Sequence, residues 1–357
     1  MNGQIADALA GIRLACRQIR RQVRIMEVCG THTVAIFRHG IRQVLPAEIE
    51  LISGPGCPVC VTDDGYIDVA LDLASRPDVI ITTYGDMVRV PGRNGSLELR
   101  RGDGNVRVVV SAADVLPIAK ANPGKMVVFL AVGFETTAPA TAVLIKEAVA
   151  EGIENLCILS GHKLVVPAMK ALLEGGNSRI DGFLCPGHVS VIIGSQAFDQ
   201  IVSGYRRPCV VAGFEPNQIL AGLAEICRQL AEGTVAIDSV YTAAVTPEGN
   251  KIAQGLMASC FEPVAARWRG LGWIDGSGLA LRPEFGRFDA LRRFGLTWPV
   301  VEEARGCRCG QVLCGIISPP DCPLFADPCT PQSPVGPCMV SSEGTCAAYY
   351  KYGGPGR

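Results

Sequence analysis

Three groups of sulfur-bearing residues stand out by type and spacing. From Cys307 onward come seven cysteines, Cys307, Cys309, Cys314, Cys322, Cys329, Cys338 and Cys346, set mostly among Gly and Pro. Thiolates carried on loops are what a metal or an iron–sulfur cluster requires, because several sulfurs must converge on one point from a backbone free to turn. Far upstream lies Cys57-Pro58-Val59-Cys60, preceded by Gly54-Pro55-Gly56, and before it a lone Cys29 followed by Gly30-Thr31-His32-Thr33. Three separate sulfur sites point to metal and redox chemistry.

Cys307, Cys322, Cys329 and Cys346 read C-x14-C-x6-C-x16-C. These gaps are too long for a zinc ribbon or knuckle, which uses C-x2-C pairs, and suit a loop-wrapped cubane. A structural zinc site or plain disulfides would draw on the same residues. Cys309 and Cys338 can form a disulfide beside the cluster, whereas Cys314, in the apolar run 312–317, reads as a core residue. The Cys57/Cys60 pair falls on a strand-to-helix turn, where a helix N-terminus lowers a thiol pKa from its free value of about 8.5. Such a pair chelates a soft metal or cycles between dithiol and disulfide. At Cys29 the two threonines can cap the next helix, and the His32 imidazole can serve as ligand or proton carrier near the sulfur. His162 and His188, each after a glycine, are either site residues or satisfied loop histidines, and His39 reads as a solvated helix cap. Glu135 with Thr136 and Thr137 either binds a ligand or caps the helix that follows.

These residues need elements to hold them. Short apolar runs at 25–28, 50–53, 79–83, 106–110, 126–132, 156–159, 182–184 and 209–212 alternate with helical patterns such as 66–74, 112–121, 138–150, 165–173 and 216–231. That alternation predicts an α/β fold with parallel sheets covered on both faces. The motifs sit just after strands, where open α/β sheets bind ligands. Ala131-Val132-Gly133-Phe134-Glu135 recurs as Val211-Ala212-Gly213-Phe214-Glu215, a faint internal repeat. The expected organisation is one α/β domain over 24–122, a second over 123–233, and a C-terminal iron–sulfur domain over 234–357 with the N-terminal helix 1–23 against it.

Composition narrows the function. Apolar residues make up 48% of the 357 and charged residues 19%, ample for buried cores. A net charge of −1 leaves no basic footprint for nucleic acid and disfavours anionic lipid. Sixteen cysteines gathered in motifs, with no secretory signal and no run of about 18 apolar residues, predict a cytoplasmic protein with reduced thiols and no membrane span.

Taken in order, Cys29-Gly30-Thr31-His32-Thr33, the segment 54–60, Thr82-Thr83-Tyr84-Gly85-Asp86-Met87-Val88-Arg89-Val90-Pro91-Gly92, 133–139, 186–190 and Cys338-Met339-Val340-Ser341-Ser342-Glu343-Gly344-Thr345-Cys346 resemble the HypD family of hydrogenase maturation proteins. The resemblance covers almost the whole chain. It implies two α/β domains and a third holding a 4Fe–4S cluster, and a role as scaffold in assembling the Fe(CN)2CO unit of nickel–iron hydrogenases. It implies two partners, a small HypC-type chaperone that shares the iron and a HypE-type protein that delivers cyanide. Carried onto this sequence, Cys29, Cys57 and Cys60 take the iron-holding roles with His32 nearby, Cys307, Cys322, Cys329 and Cys346 the cluster ligands, and Cys309 with Cys338 a redox-active pair. A rival from another class is a cluster-dependent thiol–disulfide reductase that exchanges through Cys57 and Cys60 and leaves Cys29 idle.

Overall fold

Strand-forming runs with no polar face need cover on both sides, and the computed structural model provides it. It describes residues 2–175, 179–299 and 306–353. The strands are β1 (Val23–Glu27), β2 (Ile49–Ser53), β3 (Val79–Thr83), β4 (Val106–Val108), β5 (Met126–Gly133), β6 (Leu156–His162), β7 (Gly182–Pro186), β8 (Cys209–Ala212), β9 (Ile237–Ser239), β10 (Phe261–Trp268) and β11 (Gly272–Leu281). The first nine build two sheets whose pairings are all parallel, ordered β2-β1-β7-β8-β9 and β4-β3-β5-β6. The last two form an antiparallel hairpin.

The sheets do not follow the contiguous division at 122/123. Strands β1 and β2 pair with β7, β8 and β9, while the chain between them builds the second sheet. A buried parallel strand looks the same whichever sheet receives it, so periodicity carries no sheet membership. Nor does the N-terminal helix Asn2–Ile19 join the cysteine-rich tail. It packs along helix Pro216–Glu232, placing Ile12 and Cys16 in one core with Ile226 and Cys227 on the first sheet. Residues 234–299 likewise dress the sheets. Strand β9 extends the first, helix Lys251–Cys260 packs on helix Ala138–Ala150, and β11 lies on β6 and helix Val165–Glu174.

Each sheet has one point where strand order reverses, between β1 and β7 and between β3 and β5. In open α/β sheets ligands bind at such points, beyond the carboxyl ends of the strands. Cys29 follows β1 and Pro186 ends β7; Gly85 and Asp86 follow β3 and Glu135 follows β5. Local sequence sharpens these turns. Asp63 caps helix Asp64–Ala74 with its Oδ1 accepting the Gly65 amide at 2.9 Å, an interaction worth about 1 kcal/mol.

A buried sulfur site between the strand ends

Cys29 is the N-cap residue of helix Gly30–Arg38 and is only 8% exposed. The turn that carries it lies directly against the glycine-rich loop after β2. The Gly30 amide donates to the Gly56 carbonyl at 3.2 Å, and a Cβ on Gly56 would stand 2.2 Å from the Cys29 amide nitrogen. Gly56 is thus what lets the two loops touch backbone to backbone. Beneath them sits Glu27, fully buried, whose carboxylate accepts from the Thr33 hydroxyl and, at 3.3 Å, from the Cys29 amide. Burial pushes its carboxyl up to about 7, against the hydrogen bonds from Thr33 and the Cys29 amide. The Cys29 thiol is pushed up to about 12, again by burial, while the His32 and Thr31 amides act in the opposite direction.

Cys57 opens the short helix Pro58–Val61, its Sγ accepting the Cys60 amide at 3.3 Å. The Cys60 thiol lies 2.6 Å from Cys57 Sγ. The expectation of an activated pair meets a correction at Cys60. Burial lifts that thiol well above its ordinary value, because a four-residue helix offers little dipole to offset complete desolvation. Cys60 also meets the Cys338 thiol, which lies 2.6 Å from Cys309 Sγ, and Cys309 in turn contacts Cys307. Sulfur runs continuously from the β2 turn into the tail.

In the tail Cys307, Cys309, Cys322, Cys329, Cys338 and Cys346 line one small cavity with Val312, Leu324, Phe325 and Met339. Gly336 makes room for the Cys307 sulfur, which a Cβ there would meet at 2.7 Å, and the Val335 amide donates to Cys329 Sγ at 3.3 Å. Among the described residues no three His, Cys, Asp or Glu side chains already converge as a metal site. The donor set nonetheless fits an iron–sulfur cluster, since it offers sulfur alone, in an apolar wall, with an amide aimed at one of the sulfurs. Cys314 is the buried core residue its apolar run implies.

The tail is held by both sheets. Asp86 Oδ2 accepts from the Ser341 hydroxyl at 3.0 Å and from the Ser342 amide at 3.1 Å. Glu343 Oε1 accepts from Thr31 Oγ1 at 2.6 Å, and the absent side chain of Gly30 leaves space for Glu343. Arg269, 5% exposed, makes a bidentate pair with Asp64 at 2.7 and 2.5 Å, and its charge is felt at Cys309 and Cys338.

The histidines are arranged otherwise than as sulfur neighbours. His32 is wholly buried, its Nε2 2.9 Å from the Gly213 carbonyl and its ring beside Phe214. Burial lowers its pKa to about 4, which keeps it neutral. His162 is buried against the Thr141 hydroxyl, His188 is exposed beside Phe214, and His39 caps its helix at the surface. Glu135 does not cap the helix from Ala138, whose N-cap residue is Thr137. Its Oε1 accepts the Val165 amide at 3.0 Å, while Oε2 has no partner among the described residues. Sequence reasoning missed Glu27 and Arg269. A carboxylate closing an otherwise apolar strand run was the available sign for Glu27, and nothing local marks Arg269.

The class these features define is a double-sheet α/β thiol protein, with strand ends from one sheet and a cysteine-rich tail closing on a shared sulfur site. Known proteins place it further. The model of the hydrogenase formation hypA family, HypD, matches residues 4–353. The chain is 46% identical over 360 residues to the hydrogenase maturation factor HypD of Azotobacter vinelandii, covering 99% of this chain and 95% of that protein. It is 45% identical over 334 residues to the factor of the same name from Escherichia coli K12, with 93% and 90% covered. The hydrogenase expression/formation protein HupD of Azotobacter chroococcum is 46% identical over 360 residues, with 99% and 95% covered. This chain belongs to the HypD family of hydrogenase maturation factors.

Proposed function

We propose that the protein is a cytoplasmic scaffold for assembly of the Fe(CN)2CO unit of nickel–iron hydrogenases. Cys29 and the Cys57/Cys60 pair hold the iron together with a cysteine of a HypC-type chaperone, and a HypE-type protein supplies cyanide. Cys307, Cys322, Cys329 and Cys346 hold a 4Fe–4S cluster. The observation that carries this reading is the close contact of the Cys29 and Cys57 turns at Gly56, which sets the turns that carry these soft donors side by side at two neighbouring strand ends. The thiols are kept protonated by burial until a metal takes the proton's place. Among the described residues no helix is long and apolar enough to cross a membrane.

A bound cluster supplies single electrons at low potential. The protein's own thiols suit the transfer of a pair. With Cys57 and Cys60 oxidised, Cys338 Sγ attacks Cys60 Sγ and Cys57 leaves as thiolate; Cys309 Sγ then attacks Cys338 Sγ and releases Cys60. Two protons follow from the tail pair to the upstream pair, and the tail pair ends as the disulfide. The short sulfur contacts along 57, 60, 338 and 309 support this relay, which serves equally a reductase that has no iron cargo.

The test is anaerobic co-purification with a HypC-type partner, read by infrared spectroscopy. Cys29→Ser is expected to keep the fold and the cluster absorption while the CN and CO bands vanish, serine being a harder and poorly ionised donor. Undiminished bands would place the iron elsewhere. Catalytic disulfide turnover that survives Cys29→Ser, with no such bands in the wild type, would favour the reductase.

A further inference from the structure

Away from the sulfur site, a cavity of about 480 Å³ opens between β6, the β10–β11 hairpin and the start of helix Asp64–Ala74. Among the described residues no cysteine lines it. Its walls are largely apolar and aromatic, with Tyr66 and Trp298 stacked at 5.8 Å and Val264, Leu279 and Leu291 around them, and they also carry Asp63, Arg267 and Asp289. At its edge is Lys163, 7% exposed. The ammonium donates to the Arg267 carbonyl at 2.7 Å and lies 5.7 Å from the centre of the Trp268 ring. Among the described residues no carboxylate stands within ion-pair distance of it, and Asp63, the nearest acidic influence, is paired with Arg267 at 3.3 Å. A buried ammonium with one carbonyl and one aromatic face is short of a counter-ion. Burial accordingly lowers Lys163 to about 8.

The geometry points to a ligand site in this cavity for a small organic carboxylate with an apolar or aromatic body, its anion paired with Lys163. The size and lining match small-molecule sites, which are mostly apolar with a few placed polar groups. A single-charged head is favoured over a phosphate by the charges already present. The carboxylates of Asp63 and Asp289 also line the cavity and repel a second negative charge. One ammonium matches one carboxylate, and the body fills the space beside Tyr66 and Trp298.

Two fluorescent probes test this on the full chain, dansylglycine, which carries a carboxylate, and dansylamide, which does not. The wild type is expected to bind dansylglycine saturably at one site, about tenfold more tightly than dansylamide, as a hydrogen-bonded charge implies. Lys163→Met should remove that preference and leave dansylamide binding unchanged, which also reports that the variant is folded. Trp298→Ala should weaken both probes. The proposal is overturned by wild-type protein that binds neither probe saturably or shows no preference between them, and equally by a Lys163→Met protein that retains the preference. The wild-type comparison stands by itself if the variant does not fold.

Discussion

At the reversal point of the first sheet the side chains beyond the strands are Cys29 and, from the neighbouring β2 turn, Cys57 and Cys60; at that of the second they are Asp86 and Glu135. The backbones differ in the same way. A Cβ on Gly56 would enter the Cys29 backbone, whereas one on Gly85 meets nothing nearer than Val108 Cγ1 at 3.8 Å. One architecture therefore supplies soft donors on two turns packed backbone to backbone, and again supplies oxygen acceptors, where the β3 turn is open at Gly85 and the β5 turn is closed at Gly133 by its own Thr137 side chain. The first sheet carries the thiols and, through Thr31, one hold on the tail at Glu343. The second carries another hold through Asp86.

The comparison can be broken hardest where the two halves are tied together. Arg269→Met leaves the partly buried Asp64 without its partner and should cost about 3 kcal/mol in anaerobic urea denaturation. A loss under 1 kcal/mol would mean the pair is solvated. Gly56→Ala should cost about 3 kcal/mol, because the intruding Cβ meets backbone that cannot rotate away. An unchanged midpoint for that variant would remove close packing as the mark of the first sheet.

The second sheet gives smaller and more gradual effects. Glu135 is raised to about 7 by burial, so the native protein holds its proton more tightly than the unfolded chain does. Its contribution to stability should therefore fall as pH rises from about 4.5 to about 7, with the penalty complete above that, by about 2–3 kcal/mol. Glu135→Gln should remove that share of the profile, leave the shares of Glu27 and the buried histidines, and be the more stable form at pH 8; a profile parallel to the wild type's would assign no share to Glu135. Asp86→Ala removes the acceptor of the 341–342 segment and should cost about 1–2 kcal/mol. It should also reduce cross-linking of Cys60 to Cys338 by a bifunctional thiol reagent. Gly85→Ala, the open counterpart of Gly56, should stay within about 0.5 kcal/mol.

How much of this the sequence carried depends on what kind of information each feature needs. Strands β3 and β8 match their apolar runs residue for residue, since a strand buried on both faces announces itself by composition. Sheet membership did not come through, being a property of long-range pairing. The β10–β11 hairpin was missed because Pro263 and the glycines at 272, 276 and 278 weaken strand propensity, and half-exposed positions blur the alternation. Among site residues the thiols were legible from spacing. The turning of His32 toward Gly213 was not, because three-residue spacing fixes a helix face but not which neighbour that face meets. Burial was also hidden, and with it the reversal of the expected pKa shift at Cys60.

The interleaving of the sheets has a consequence for biogenesis. On the ribosome, β1 and β2 emerge early with Cys29 and Cys57 at their ends, yet β1's other neighbour, β7, begins only at Gly182. Until then the nascent two-stranded piece has an open edge, and the N-terminal helix lacks Pro216–Glu232 to lie on. The sulfur line to the tail cannot close before Cys338 and Cys346 have been made. The upstream thiols are thus separated, by most of the time of synthesis, from the sulfur neighbours they meet in the finished protein.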